Sequence, residues 1–161
     1  MDNLLQLHTY FLTLMNEPAT IREILDNART IAVVGLTNRE GRASYGVSRF
    51  MQSQGYRIIP VNPQIDSALG EKAYPDLDAA VAALEKDGGK IDVVNVFRAP
   101  EYVPAIVKDV IRLKIRYLWL QEGVVHDEAA GWAEAAGIKV VQDHCILKER
   151  MAAGWKSHLP S

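Results

Sequence analysis

The sequence is poor in cysteine, has no excess of charge of one sign and contains no long hydrophobic run. Cys145 is the only cysteine among 161 residues, which excludes an intrachain disulfide and is typical of a reducing compartment. Eighteen Lys and Arg against twenty Asp and Glu give a net charge of −2, so no basic field favours nucleic acid or an anionic membrane. The apolar stretch from Leu4 to Met15 is too short to span a bilayer and lacks the basic start of a signal peptide. These absences predict a cytoplasmic protein that binds neither nucleic acid nor a membrane.

The sequence contains five short apolar runs that are separated by amphipathic segments. The five runs occupy residues 31–34, 58–61, 93–97, 117–120 and 138–141. Because they do not alternate with polar residues, they are typical of strands covered on both faces of a parallel sheet. We therefore predict an α/β, Rossmann-like, doubly wound and mostly parallel five-stranded sheet of order 3-2-1-4-5. Pro60 indicates that its run is an edge strand or the end of a strand. Apolar residues at helical spacing predict extra N-terminal helices, so the chain divides into a helical extension over 1–29 and the Rossmann-like domain over 30–161.

The loop between the first predicted strand and the next helix is the most informative segment. Gly35 and Gly41 would let the backbone approach a phosphate, and Ser44 is expected to cap the helix and offer its hydroxyl. Arg39 and Arg42 bring two guanidinium groups to the same helix N-terminus, where free amides and the helix dipole favour an anion. We therefore predict a phosphate-binding loop. The alternative is that the first glycine only ends a strand and that both arginines are solvated.

Neither of the common nucleotide-binding patterns occurs in this loop. A dinucleotide fingerprint needs G-x-G-x-x-G and an acidic residue at the end of the second strand. Here five residues separate Gly35 from Gly41, and the second strand ends in Pro60-Val61-Asn62-Pro63. No Gly-Lys-Ser/Thr follows the glycines, which excludes a P-loop. An NAD(P)-dependent oxidoreductase, with Arg39 or Arg42 on a 2′-phosphate, is one alternative function, and a Rossmann scaffold that only mediates protein interactions is another.

Eight segments between about Ala28 and Glu149 carry a family resemblance. They are Ile31–Gly35, Gly41–Gly46, Gly55-Tyr56, Ile59–Pro63, Leu69–Pro75, Asp92–Arg98, Trp119–Val124 and Asp143–Cys145. Together they resemble the bacterial CoA-binding domain family, which is similar to the N-terminal CoA-binding domain of the succinyl-CoA synthetase alpha subunit. The resemblance implies a Rossmann-like domain that binds CoA or an acyl-CoA. The active-site histidine of the synthetase belongs to a second domain without a counterpart here, so we expect binding without catalysis.

The resemblance also implies which residues contact CoA. The phosphates would lie against the glycine loop and the start of the next helix, at Gly35, Leu36, Thr37, Asn38, Ser44, Tyr45 and Gly46. Asn62 and Pro63 would flank the ribose and its phosphate. Phe97, Arg98 and Pro100 would border the adenine.

The end of the fourth predicted strand is a further candidate. In a 3-2-1-4-5 sheet this end faces the first loop where the strand order reverses, which is where ligands bind. Gln121 or Glu122 would then meet the pantetheine arm, although Glu122 is equally well explained as a solvated residue. His126 is expected to be structural and Cys145 a small buried residue, and one adjacent His and Cys do not make a zinc site. A homo-oligomer and a partner enzyme both remain compatible with the sequence.

Overall fold

The computed structural model describes residues 15–154, and the first of the two predicted N-terminal helices lies outside them. Within these residues the helices are α1 (Pro18–Asn27), α2 (Ala43–Ser53), α3 (Leu77–Lys86), α4 (Val103–Arg112), α5 (Asp127–Ala135) and α6 (Ile146–Ala152). The strands are β1 (Thr30–Val34), β2 (Arg57–Val61), β3 (Ser67–Ala68), β4 (Glu71–Lys72), β5 (Val93–Val96), β6 (Tyr117–Leu120) and β7 (Lys139–Val141). A 3₁₀ turn, Pro100–Tyr102, precedes α4. No helix among the described residues is long and apolar enough to cross a membrane.

Five strands pair in parallel in the order β2-β1-β5-β6-β7, and β3 and β4 form a separate antiparallel hairpin. The predicted α/β class and parallel five-stranded sheet are confirmed, but the strand order is corrected from 3-2-1-4-5 to 2-1-3-4-5 for the five predicted strands. The third of them pairs with β1 because the outer edge of β2 is already occupied. There the Tyr74 N–H donates to the Pro60 carbonyl at 3.0 Å, and the Tyr74 carbonyl accepts from the Asn62 N–H at 2.8 Å.

Different helices cover the two faces of the sheet. Along β1, Ala32 joins the buried cluster of α3, α4 and α5, whereas Ile31 and Val33 join that of α1, α2 and α6. Successive residues in the middle of β1 are therefore buried on opposite faces of the sheet. This double burial is the physical reason why the strands occur as continuous apolar runs in the sequence.

The strand order reverses between β1 and β5. The chain leaves β1 for α2 on one face and leaves β5 for α4 on the other, so the two loops diverge at the carboxyl edge and open a crevice. Backbone hydrogen bonds hold this edge together: Phe97 N–H donates to the Val34 carbonyl and Gly35 N–H to the Val61 carbonyl, each at 2.9 Å. The loop after β5, rather than the loop after β6, is therefore the neighbour of the glycine loop.

Candidate functional site

Gly35 lets the loop after β1 approach the loop after β5. Its φ is +91°, a conformation that residues with a side chain rarely adopt. A Cβ at this position would stand 2.4 Å from the Phe97 carbonyl oxygen and 3.1 Å from Arg98 Cδ. Both the backbone conformation and the close approach therefore require glycine here. The result is that the two loops predicted to bind the phosphates and the adenine meet at one place.

Ser44 fastens the glycine loop to α2. The helix begins at Ala43 because Arg42 already has the extended dihedrals of an N-cap residue, φ −92° and ψ 144°. Ser44 is therefore the second helical residue, and the expectation that it caps the helix is wrong. Its side chain is buried, and its Oγ accepts a hydrogen bond from the Thr37 N–H at 3.2 Å. The hydroxyl still has its own hydrogen to donate, so it remains able to bond a ligand oxygen.

Asn62 connects the end of β2 to the same loop. Its Nδ2 donates to the Leu36 carbonyl at 3.0 Å, while its Oδ1 accepts from the Gln64 N–H at 2.8 Å. The Leu36 side chain is fully buried in the core under α1, α2 and α6. Asn62 thus holds the glycine loop through a hydrogen bond, and Leu36 anchors it in the core. Pro63 follows Asn62 and is exposed.

A cavity of about 380 Å³ opens between the two loops. Its lining consists of Gly35, Thr37, Arg39, Arg42, Ala43, Ser44 and Phe97. The N–H groups of Tyr45 and Gly46 both donate to the Arg42 carbonyl at 3.1 Å, so the backbone donors that the start of α2 brings to this cavity are those of Ala43 and Ser44. Arg39 and Arg42 are exposed, and neither takes part in an ion pair among the residues described. Their charge is therefore available to an anion.

Six of the predicted site residues line this cavity, and others lie on the elements beside it. Beyond those that line the cavity, Asn38 is exposed within the loop, Tyr45 and Gly46 continue the first turn of α2, Arg98 contacts Gly35, and Pro100 begins the 3₁₀ turn. Ala43 was missed because the sequence signal placed the N-cap of α2 at Ser44, two residues after the observed N-cap at Arg42. The polar residues of the loop were found because strand, glycine and helix start are adjacent in the chain.

Gln121 is not brought to the crevice. It is buried, and its Oε1 accepts a hydrogen bond from the Ile146 N–H at 3.0 Å, at the start of α6. The reason is the corrected strand order, because β5 lies between β6 and β1. Glu122 is exposed and pairs with Lys148 at 3.1 Å.

Among the described residues, His126 and His144 each have a local partner, and Cys145 lies at the start of α6. His126 precedes α5, and its Nδ1 accepts from the Ala129 N–H at 3.1 Å, which is an N-cap bond. His144 Nδ1 lies 2.9 Å from Glu149 Oε1, and both residues line a second cavity of about 370 Å³ between α1 and α6. Cys145 is half-buried and precedes α6. Among residues 15–154, no three His, Cys, Asp or Glu side chains are grouped so that they could hold a metal ion.

Comparisons with known proteins agree with this description. A family model described as "CoA binding domain" matches residues 29–151. The uncharacterized protein YneT of Bacillus subtilis (strain 168) is 44% identical over 128 residues, which cover 80% of this chain and 90% of YneT. A hypothetical protein from Pyrococcus horikoshii OT3 superimposes with a TM-score of 0.75 at 30% identity, covering 84% of this chain and 91% of that one. An acetyl-coenzyme A synthetase of Ca. Korarchaeum cryptofilum shares the fold over 75% of this chain but only 27% of its own, with 21% identity and a TM-score of 0.62.

Proposed function

Because this chain belongs to the family of CoA-binding domains, we propose that it binds CoA or an acyl-CoA in the crevice between the β1 and β5 loops. The observation that carries the proposal is the cavity at the reversal of strand order, where Gly35, Ser44 and two arginines meet. Open α/β sheets bind their ligands at this position. The cavity also lies entirely within the segment that matches the family.

In this proposal the pyrophosphate of CoA lies against the glycine loop and the start of α2. The Ala43 and Ser44 amides and the Ser44 hydroxyl would donate hydrogen bonds to phosphate oxygens. Arg39 and Arg42 would add charge-assisted hydrogen bonds, which are the stronger class. The loop after β5 would then border the adenine, with Phe97 already in the cavity wall. Asn62 would hold the ribose end indirectly, through the Leu36 carbonyl that it bonds.

A larger increase in melting temperature with CoA than with NAD or NADP is the result that we expect from a ligand panel at equal concentrations. A ligand that binds only the folded state at about 100 times its Kd adds about 2.7 kcal/mol, which corresponds to roughly 5–10 °C in a chain of this size. Thermal shift with CoA, acetyl-CoA, NAD, NADP and AMP measures this directly. A larger shift with NADP would favour the oxidoreductase alternative. No shift with any of them would favour an interaction scaffold.

We further propose that the chain binds CoA without catalysing a reaction of its own. The described residues that line the cavity include no histidine, cysteine or carboxylate that could act as general acid, base or nucleophile. The purified protein should therefore form no succinyl-CoA from succinate and CoA, with or without ATP, while a succinyl-CoA synthetase serves as the positive control. Turnover that scales with protein concentration, and that disappears when Arg39 and Arg42 are replaced, would contradict the proposal.

A further inference from the structure

Tyr102 makes a close contact with Arg98. It ends the 3₁₀ turn after β5, and Arg98 Cζ lies 4.0 Å from the centroid of its ring. The other cation–ring pairs among the described residues have distances of 4.8 to 5.9 Å, so this one is the closest. Tyr102 is 46% exposed. Tyr102 is therefore not a core residue, and Arg98 is the cation that contacts its ring among the described residues.

The stem of Arg98 is fixed from the opposite side. Its Cδ packs against Gly35, 3.1 Å from the point where a Cβ would stand. Arg98 is half-buried and forms none of the ion pairs found in residues 15–154. The Arg98 side chain therefore passes Gly35 and places its guanidinium against the Tyr102 ring. No carboxylate among residues 15–154 forms an ion pair with this guanidinium.

We propose that Tyr102 is a positioning residue that holds the Arg98 guanidinium at the rim of the crevice, where Arg98 binds a phosphate group of the ligand rather than the adenine that the resemblance implied for it, while Phe97 keeps its place beside the adenine. This proposal rests on the proposed CoA-binding function and deepens it. A guanidinium that stacks its flat face on an aromatic ring keeps its N–H donors free in its own plane, where they match two phosphate oxygens. Fixing the long side chain before binding also reduces the ordering cost that the ligand must otherwise overcome.

Two substitutions at Tyr102 separate ring stacking from side-chain bulk. Tyr102→Phe keeps the ring and should bind CoA as the wild type does. Tyr102→Leu keeps apolar bulk without a ring and should raise the Kd about 3- to 5-fold, in line with an exposed cation–π contact. Arg98→Ala should raise the Kd about tenfold or more, because a charge-assisted hydrogen bond is lost. Arg116→Ala removes an arginine that also stands over a tyrosine, 4.8 Å from the Tyr117 ring but at the amino edge of the sheet, and is the matched control.

Calorimetric titration of CoA at low and at high salt is the measurement. We expect the effect of Tyr102→Leu to vanish in the Arg98→Ala background and to shrink at high salt, since it acts through a charge. Titration of dephospho-CoA shows which phosphate Arg98 binds. If Arg98 binds the 3′-phosphate, Arg98→Ala should not weaken the binding of dephospho-CoA. If Arg98 binds the pyrophosphate, Arg98→Ala should weaken the binding of dephospho-CoA as much as that of CoA. Wild-type affinity in Tyr102→Leu, or an undiminished penalty in the Arg98→Ala background, would overturn this proposal alone. Failure of the wild type to bind CoA would overturn the proposed function and this proposal with it.

Discussion

Replacing Arg39 and Arg42 together by alanine is expected to weaken CoA binding by about 3 kcal/mol, or roughly 150-fold in Kd. Each guanidinium lines the cavity, and neither is engaged by a carboxylate among the residues described. A charge-assisted hydrogen bond to phosphate contributes about 1.5–3 kcal/mol, so two such bonds account for the loss even if their effects are not fully additive. Both side chains are exposed, so the free energy of unfolding should change by less than about 1 kcal/mol.

Calorimetric titration of CoA into the wild type and the double variant at two salt concentrations checks this expectation. The matched control is Lys86→Ala combined with Arg116→Ala, which removes the same charge from exposed positions that do not line the cavity. Wild-type affinity should fall as salt rises, because partly exposed charges are screened, and the double variant should depend less on salt. Equal affinities in all variants would mean that backbone amides alone hold the phosphates.

Gly35→Ala should lower the free energy of unfolding by about 3 kcal/mol or more and the melting temperature by roughly 6–12 °C. The added Cβ would stand 2.4 Å from the Phe97 carbonyl oxygen, a backbone atom that the β1–β5 hydrogen bonds hold in place. The φ of +91° adds strain for any residue with a side chain. Since the clash separates the two loops that form the cavity, CoA affinity should fall as well.

Replacing Gly46 by alanine should stabilise the protein rather than destabilise it. Gly46 lies in α2 without the positive φ of Gly35, and a Cβ there would meet nothing within 4 Å. Gly46→Ala should therefore raise the free energy of unfolding by up to about 1 kcal/mol through helix propensity. Urea denaturation of both variants measures the contrast. Similar effects at the two positions would contradict the structural requirement for glycine at Gly35.

The sequence predicted the strands well because double burial leaves a local signal. The run from Val93 needs no knowledge of its neighbours to be recognised as a buried strand, and the helical stripes between the strands are equally local. The predicted strand order was wrong because strand order depends on pairing between distant parts of the chain, which the runs themselves do not encode. Here the backbone of Tyr74, outside every run, pairs with β2. Strands β3 and β4 have two residues each, which is too short to produce a periodic pattern in the sequence.

In the candidate site, too, local signals in the sequence identify some residues, whereas the position of others depends on long-range contacts. Arg39, Arg42 and Ser44 were identified because they follow a strand end and a glycine along the chain. Gln121 was misplaced because its position relative to the glycine loop depends on the strand order. Tyr102 was missed because its contact with Arg98 depends on the 3₁₀ turn, although an aromatic residue four positions after an arginine in a loop is a signal that could have been used.

A crystal structure of the protein grown with CoA tests the central claim most directly. The account predicts that the pyrophosphate lies in the crevice between the β1 and β5 loops. Its oxygens should be about 2.7–3.2 Å from the amides at the start of α2 and from the guanidinium of Arg39 or Arg42. CoA ordered in the cavity between α1 and α6, where His144 and Glu149 lie, with the crevice free of phosphate, would contradict it.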